Sequence, residues 1–348
     1  MKKLILSLIA VAVGTLSSFA QSDLVATLSH GSSLSTFSGV DALSEAYAAA
    51  AEGDVITLSP GVFNAVDIEK AITVRGAGMQ PMESNGYVAT QLAQNITIDV
   101  PSGTSSTLTI EGLQFLGSLG VYGDNLAPVT FTKNRFNSAV KGRGISMNAH
   151  SCVFLNGLLA ENNYNKNTTL NCYNCVIVGA QSSGYDPNNG VMAKIVATNC
   201  LVNLCLTWVP YCIFTNCIIT SSYNSGDNYP LPETCSAQNC LGINVSGTPN
   251  LFQNIIGPTS VMAEGSGTEA FTPIFKTLTT LNANPAITET FELTETAAAT
   301  YLGDDGTQVG IYGGPAPFNP TPTNPQVKKF TVNSTTEGDQ LKVKINVE

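Results

Sequence analysis

The sequence predicts an all-β fold, a right-handed parallel β-helix (solenoid) with an N-terminal capping helix and a C-terminal β-hairpin extension. Three observations predict it: a recurring apolar pattern over residues 108–242, a turn-forming residue at a fixed place within that pattern, and a composition of 43% hydrophobic but only 11% charged residues. Average soluble domains carry roughly 25% charge, so Asn, Thr, Ser and Gly do the solubilising here, as suits strands and turns.

The pattern appears when Leu113, Asn134, Cys152, Cys175, Cys200, Cys217 and Cys240 share one column, position zero. Position −5 then reads Leu108, Val129, Met147, Leu170, Ile195, Cys212, Cys235, and position −3 reads Ile110, Phe131, Ala149, Cys172, Ala197, Phe214, Ala237. Position +2 reads Phe115, Phe136, Phe154, Ile177, Val202, Ile219, Gly242; of these 28 residues only Asn134 and Gly242 are not apolar. Steps of two are strand alternation with one face buried. The odd step from −3 to 0 requires a bend that keeps the same side inward. Position −1 supplies it: Gly112, Lys133, Ser151, Asn174, Asn199, Asn216 and Asn239 are mostly residue types that tolerate a left-handed backbone. Each repeat is therefore a strand, a tight corner and a second strand. Intervals of 21, 18, 23, 25, 17 and 23 residues describe constant inner elements joined by variable loops, and they disfavour the six-residue period of left-handed solenoids. Ile72, Val74, Gly76, Ala77 and Met79 fit the same register.

The remaining elements follow in chain order. Residues 1–20 pair two lysines with a short apolar run and end on Ser18 and Ala20, a signal peptide with Gln21 as mature N-terminus. Residues 21–314 form the β-helix. Within it, Asp41 to Glu52 reads as the capping helix, with Asp41 at its N-cap, Gly53 as its stop and Leu43, Ala46, Tyr47 and Ala50 as its apolar face. Gly53 to Phe63 makes a strand and turn, the first rung. Residues 250–300 lose the register and hold long loops and the last rungs; Gly303 to Gly314 gives a turn, a short strand and a glycine pair. Residues 315–326 are a Pro-rich connector, and 327–348 alternate as a hairpin tail.

Nine cysteines in a secreted chain suggest disulfides, and Cys172-x-x-Cys175 suggests zinc. Nine is odd, however, the spacings are irregular, and His30 and His150 are the only histidines. Stacked about 4.8 Å apart in register, the thiols read instead as small apolar filling of the core. Net charge is −10, and −12 without Lys2 and Lys3, so nucleic acid and anionic membrane are poor partners. No apolar run is long enough to span a bilayer.

These segments resemble the pectate-lyase-like right-handed β-helix proteins. The likeness rests on GDVITLSPGVF after an Ala-rich helix, on ITVRGAG, and on the repeated NCxI/V rungs; GTQVGIYGGPAPFNPTP and the hairpin look like secreted β-helix proteins of gut-type Bacteroidetes. It covers about residues 38–348. The resemblance implies two chemistries: a Lys or Arg base with carboxylate-held calcium, for cleavage of uronate polymers, or an Asp cluster, for hydrolysis. No adjacent Asp pair occurs in the rungs.

Counted back from the following position-zero residue, Arg143 and Lys166 share offset −9, Lys141 and Tyr164 share −11, Glu161 and Asp186 share −14, and Lys194 lies at −6. Arg143, Lys166 and Lys194 are thus the candidate bases; Lys141, Tyr164 and Trp208 the candidate sugar contacts; and Glu161 with Asp186 the candidate calcium ligands. A complete structural ladder without a complete catalytic set favours a non-catalytic extracellular or cell-surface protein that presents glycan- or macromolecule-binding loops. A calcium-assisted lyase on an acidic polysaccharide and a structural adhesin are the alternatives.

Overall fold

The computed structural model describes residues 24–80, 89–100, 106–122, 129–162, 166–204, 211–221, 235–244, 261–262, 271–279, 290–323, 327–332 and 343–347. The leader segment, Cys205, Tyr164 and Trp208 lie outside these residues. Two long sheets of 12 and 14 strands, mostly parallel, line one apolar core, an arrangement consistent with a β-helix-like solenoid. The first sheet carries positions −5 and −3: Ile110, Phe131, Ala149, Cys172, Ala197, Phe214 and Ala237 are consecutive register partners, all buried. The second carries position +2, where Phe115, Phe136 and Phe154 stack with ring centroids 4.8 Å apart.

Every residue at position −1 has a left-handed backbone, from Gly112 (φ 68°) through Lys133, Ser151, Asn174, Asn199 and Asn216 to Asn239 (φ 52°). This corner sets the hydrogen bonding. The amide at −1 donates to a backbone carbonyl of the next repeat, as in Asn174 to Thr198, and the amide at +1 to one of the preceding repeat, as in Val176 to Cys152. From Leu113 to Cys217 the amide at position zero points into the core and meets a side chain instead. Cys152 donates to Cys175 Sγ (3.4 Å), Cys175 to Cys200 Sγ (3.3 Å), Cys200 to Cys217 Sγ (3.3 Å) and Cys217 to Cys240 Sγ (3.4 Å). The thiol in turn donates to the −3 carbonyl of the preceding repeat, as Cys200 does to Cys172 O (3.4 Å). Asn134 does the same with an amide: its Oδ1 accepts from Leu113 N–H (2.9 Å) and its Nδ2 donates to Ile110 O (2.7 Å). The one polar residue of the column is thus isofunctional with the cysteines. Burial pushes the Cys152, Cys200 and Cys240 thiols up, which keeps them protonated and unreactive.

Two features depart from the sequence reading. The earlier repeats have a third strand: Ile96–Ile98, Leu119–Tyr122, Val140–Arg143 and Leu158–Glu161 pair in order and join the second sheet through the far end of Val176–Ser182. In the ITVRGAG repeat, Val74 sits at −3 opposite Ile110, but the chain leaves the ladder at Gly76 and Thr90 takes position zero opposite Leu113. Met79 joins a different cluster, outside the tube wall. A side chain at Gly76 would collide with the Gly112 carbonyl and Leu113, so the point of departure admits only glycine.

That outer cluster is a second core. Val153, Val176, Leu201, Ile218 and Leu241, at position +1, face away from the first core and are buried beneath Phe271, Phe275, Leu293, Val309, Ile311 and Phe318. A strand at Val261–Met262 pairs as one more rung beside Leu241–Asn244. The described residues of 271–323, by contrast, add no strand to the two sheets. Two of the position −1 asparagines hold this layer: Asn174 Nδ2 donates to Ile311 O (2.9 Å) and Gly313 O (2.8 Å), and Asn216 exchanges two bonds with Asp304. An unforeseen helix, α2 (Glu295–Thr300), is capped by Thr294 Oγ1, which accepts from Ala297 N–H. α1, the N-terminal helix, spans Ala42–Ala49 and buries Ala42, Leu43 and Ala46. Asp41 precedes it without a side-chain cap, its backbone (φ −96°, ψ 4°) lying outside the extended region of a capping residue, and its carboxylate accepts from Asn64 Nδ2 (2.8 Å). An antiparallel hairpin, Val25–His30 with Ser33–Ser38, begins the first sheet, and Val327–Val332 pairs with Val343–Val347 in a separate two-stranded sheet.

Cys175→Ala removes the acceptor of the Cys152 amide and is expected to cost about 1–3 kcal/mol in urea unfolding, with part recovered in Cys175→Ser. A side chain at Gly313 would run into Gln308 O and Asn199, so Gly313→Ala should cost about 1–3 kcal/mol and raise binding of a hydrophobic dye as the outer layer lifts.

Candidate functional site

The third run of strands brings a group of charged side chains to one exposed surface. Lys141 and Arg143 alternate with buried Val140 and Gly142, so both face outward. In register, Tyr122 lies beside Arg143, and Arg143 beside Glu161. Lys141 Nζ reaches Glu161 Oε1 at 3.4 Å, with side chains 45% and 33% exposed. The Arg143 guanidinium carbon stands 5.3 Å from the Tyr122 ring centroid. Gly120 makes this possible: a Cβ there would meet the Tyr122 ring, which therefore lies flat across the glycine. Beside Glu161 opens a cleft of about 230 Å³ lined by Leu159, Ala160, Glu161, Gln181, Ser182 and Ser183.

Arg143 and Glu161 are neighbours for a reason the backward count concealed. The variable loop of each repeat follows the third strand, so positions on that strand keep a constant distance from the preceding position-zero residue. Tyr122, Arg143 and Glu161 each lie nine residues after Leu113, Asn134 and Cys152. Counted forward, the sequence would have assembled Tyr122, Arg143 and Glu161 without a structure; Tyr122 was missed for that reason alone.

The expected pairing of Glu161 with Asp186 does not arise in this register. Ala160 pairs with Ser182, and Ser183 occupies the place beside Glu161, its hydroxyl accepting from Asn162 N–H (3.3 Å). The chain then turns back: Gly184–Asp186 pairs antiparallel with Val191–Thr198, carrying Asp186 to the tip of a hairpin. There its carboxylate accepts from Asn188 N–H (2.9 Å) and Asn189 Nδ2 (2.8 Å), which hold its pKa below the usual carboxylate range. Lys194 lies opposite Thr169 on the first sheet, a different surface from Arg143. Lys166 follows residues 163–165, which lie outside the described residues, as do Tyr164 and Trp208. Among the described residues no group of three or more His, Cys, Asp or Glu side chains converges as a metal site would require.

Chemically, the surface offers two cations, one carboxylate, a phenol and a polar-edged cleft across adjacent rungs about 4.8 Å apart. Such a row can exchange hydrogen bonds with successive hydroxyl or carboxylate groups of an extended polymer, and Arg143 can bind a carboxylate through two donors. Comparison of the chain with protein-family models, curated proteins and solved structures returned no match.

A double-mutant cycle should give a coupling of about 0.2–1 kcal/mol between Lys141 and Glu161, abolished by 1 M salt, and none between Glu161 and Asp186.

Proposed function

We infer that this chain is a secreted or cell-surface right-handed parallel β-helix of the pectate-lyase-like kind, whose third strand run binds an extended extracellular glycan without cleaving it. The three strand runs, the left-handed corners and the secretory character of residues 1–20 support the architecture and location. α1 serves as its N-terminal cap. The observation that carries the function is the outward row of Lys141, Arg143, Tyr122 and Glu161 beside the 230 Å³ cleft. Its charges sit on adjacent rungs of a rigid sheet, at a spacing that matches a chain lying along the stack rather than a small molecule in a closed pocket.

Binding rather than catalysis is favoured by the disposition of the acids. Glu161 is engaged by Lys141 and Asp186 by its own turn, so neither brings a second carboxylate to a shared cation. The polymer expected to bind best carries carboxylates, since two cations outnumber one acid on the row.

A panel of neutral and uronate-bearing polysaccharides, tested with calcium and with chelator, examines this directly. Retention of a uronate polymer, weakened about tenfold or more by Arg143→Ala and accompanied by no ultraviolet absorbance of unsaturated ends, is the expected result. Unsaturated ends appearing only with calcium would replace this reading with a lyase. Failure to retain any polymer would remove it in favour of an adhesin that contacts protein.

A further inference from the structure

The first sheet begins with a strand whose outer edge no further strand covers among the described residues, although α1 packs against it. Ser33–Ser38 is its terminal strand, paired on one side with Val25–His30 and, among the described residues, with no strand on the other. Natural edge strands are protected by charges, proline, bulges or short length. Residues 24–40 contain no Asp, Glu, Lys, Arg or Pro, the pairing runs through six residues without a register shift, and five of the six edge residues are exposed. Exposed apolar groups concentrate at the same end: Leu34 is 70% exposed, Val40 50%, and Val62, in the terminal strand of the second sheet, 46%.

We propose that this edge pairs antiparallel with the same edge of a second copy of the chain, joining two stacks end to end about a two-fold axis. An antiparallel edge is its own complement: a two-fold axis normal to the sheet presents each strand with an identical strand running the other way, and outward residues meet outward residues. The absence of charge removes the like-charge clash that usually forbids such self-pairing, and offers a charged foreign partner nothing to select. Because the contact is isologous, it closes at two copies and builds no filament. Six paired residues, Leu34 among them, with Val40 beside them make a small interface, below the roughly 1,200 Å² of tight complexes, so the dimer dissociates on dilution. This inference is independent of the glycan reading, since its surface lies at the stack end and not on the third strand run.

The outward residues of the edge are Leu34, Thr36 and Ser38, which pair with Ser29, Thr27 and Val25 on the face opposite buried Leu28 and Ala26. Light scattering of the purified chain over about 5–200 μM should show mass rising from one to two copies of the 36.4 kDa chain. The double variant Leu34→Lys with Thr36→Lys should stay at one copy throughout, with unchanged circular dichroism, while Thr198→Lys in mid-sheet should dimerise as the parent does. Hydrogen exchange of the parent gives a second readout that needs no variant: amides in residues 33–38 should slow as concentration rises. Constant single-copy mass, a dimer that survives both lysines, or exchange at residues 33–38 that ignores concentration would each overturn the proposal.

Discussion

The amide at position zero, from Leu113 to Cys217, is the group on which the stack depends. The left-handed corner that keeps both flanking strands facing inward turns this N–H away from every neighbouring backbone carbonyl and into the core. A buried amide without an acceptor costs about 1–3 kcal/mol, and the cost recurs at each of these corners. The next repeat must therefore supply an acceptor on a side chain small enough to fit between rungs. Cysteine meets both demands, as does Asn134 at greater polarity. Valine or alanine would fill the space and leave the amide unpaired. The thiols are thus structural acceptors as much as filling, and their burial explains how a cysteine-rich chain keeps them free.

The same corner organises the outside. A left-handed asparagine directs its amide outward, where Asn174 and Asn216 hold residues 304–313 against the wall. That layer covers the apolar +1 file of the second sheet. The third strand run has no such apolar file; Lys141, Arg143 and Glu161 occupy its outward positions, and it remains exposed. One face is closed by the chain itself and another is left open, and the difference lies in the residues at alternate positions of otherwise similar strands.

The inner columns were legible because burial forces a residue type at each repeat: apolar at −5, −3 and +2, and a left-handed former at −1. Tyr122, Arg143 and Glu161 were legible in principle but were aligned from the wrong end. Surface positions carry no apolar signature, so their register had to be borrowed from the core, and the variable loop lies between them and the following core residue. The Met79 misplacement has a related cause: Ile72 to Gly76 follow the pattern, and only the contact between Gly76 and Gly112 marks where the chain leaves.

Sequence alone determined the repeat, its corner and the inward role of the cysteines, since these arise from local backbone preference and one-dimensional alternation. Tertiary structure decided what lies outside the wall: the return of the described residues of 271–323 over the second sheet and the departure of Asp186 into a hairpin. Those contacts join residues far apart in the chain, at distances set by loops of unequal length. No periodicity encodes them, because each occurs once.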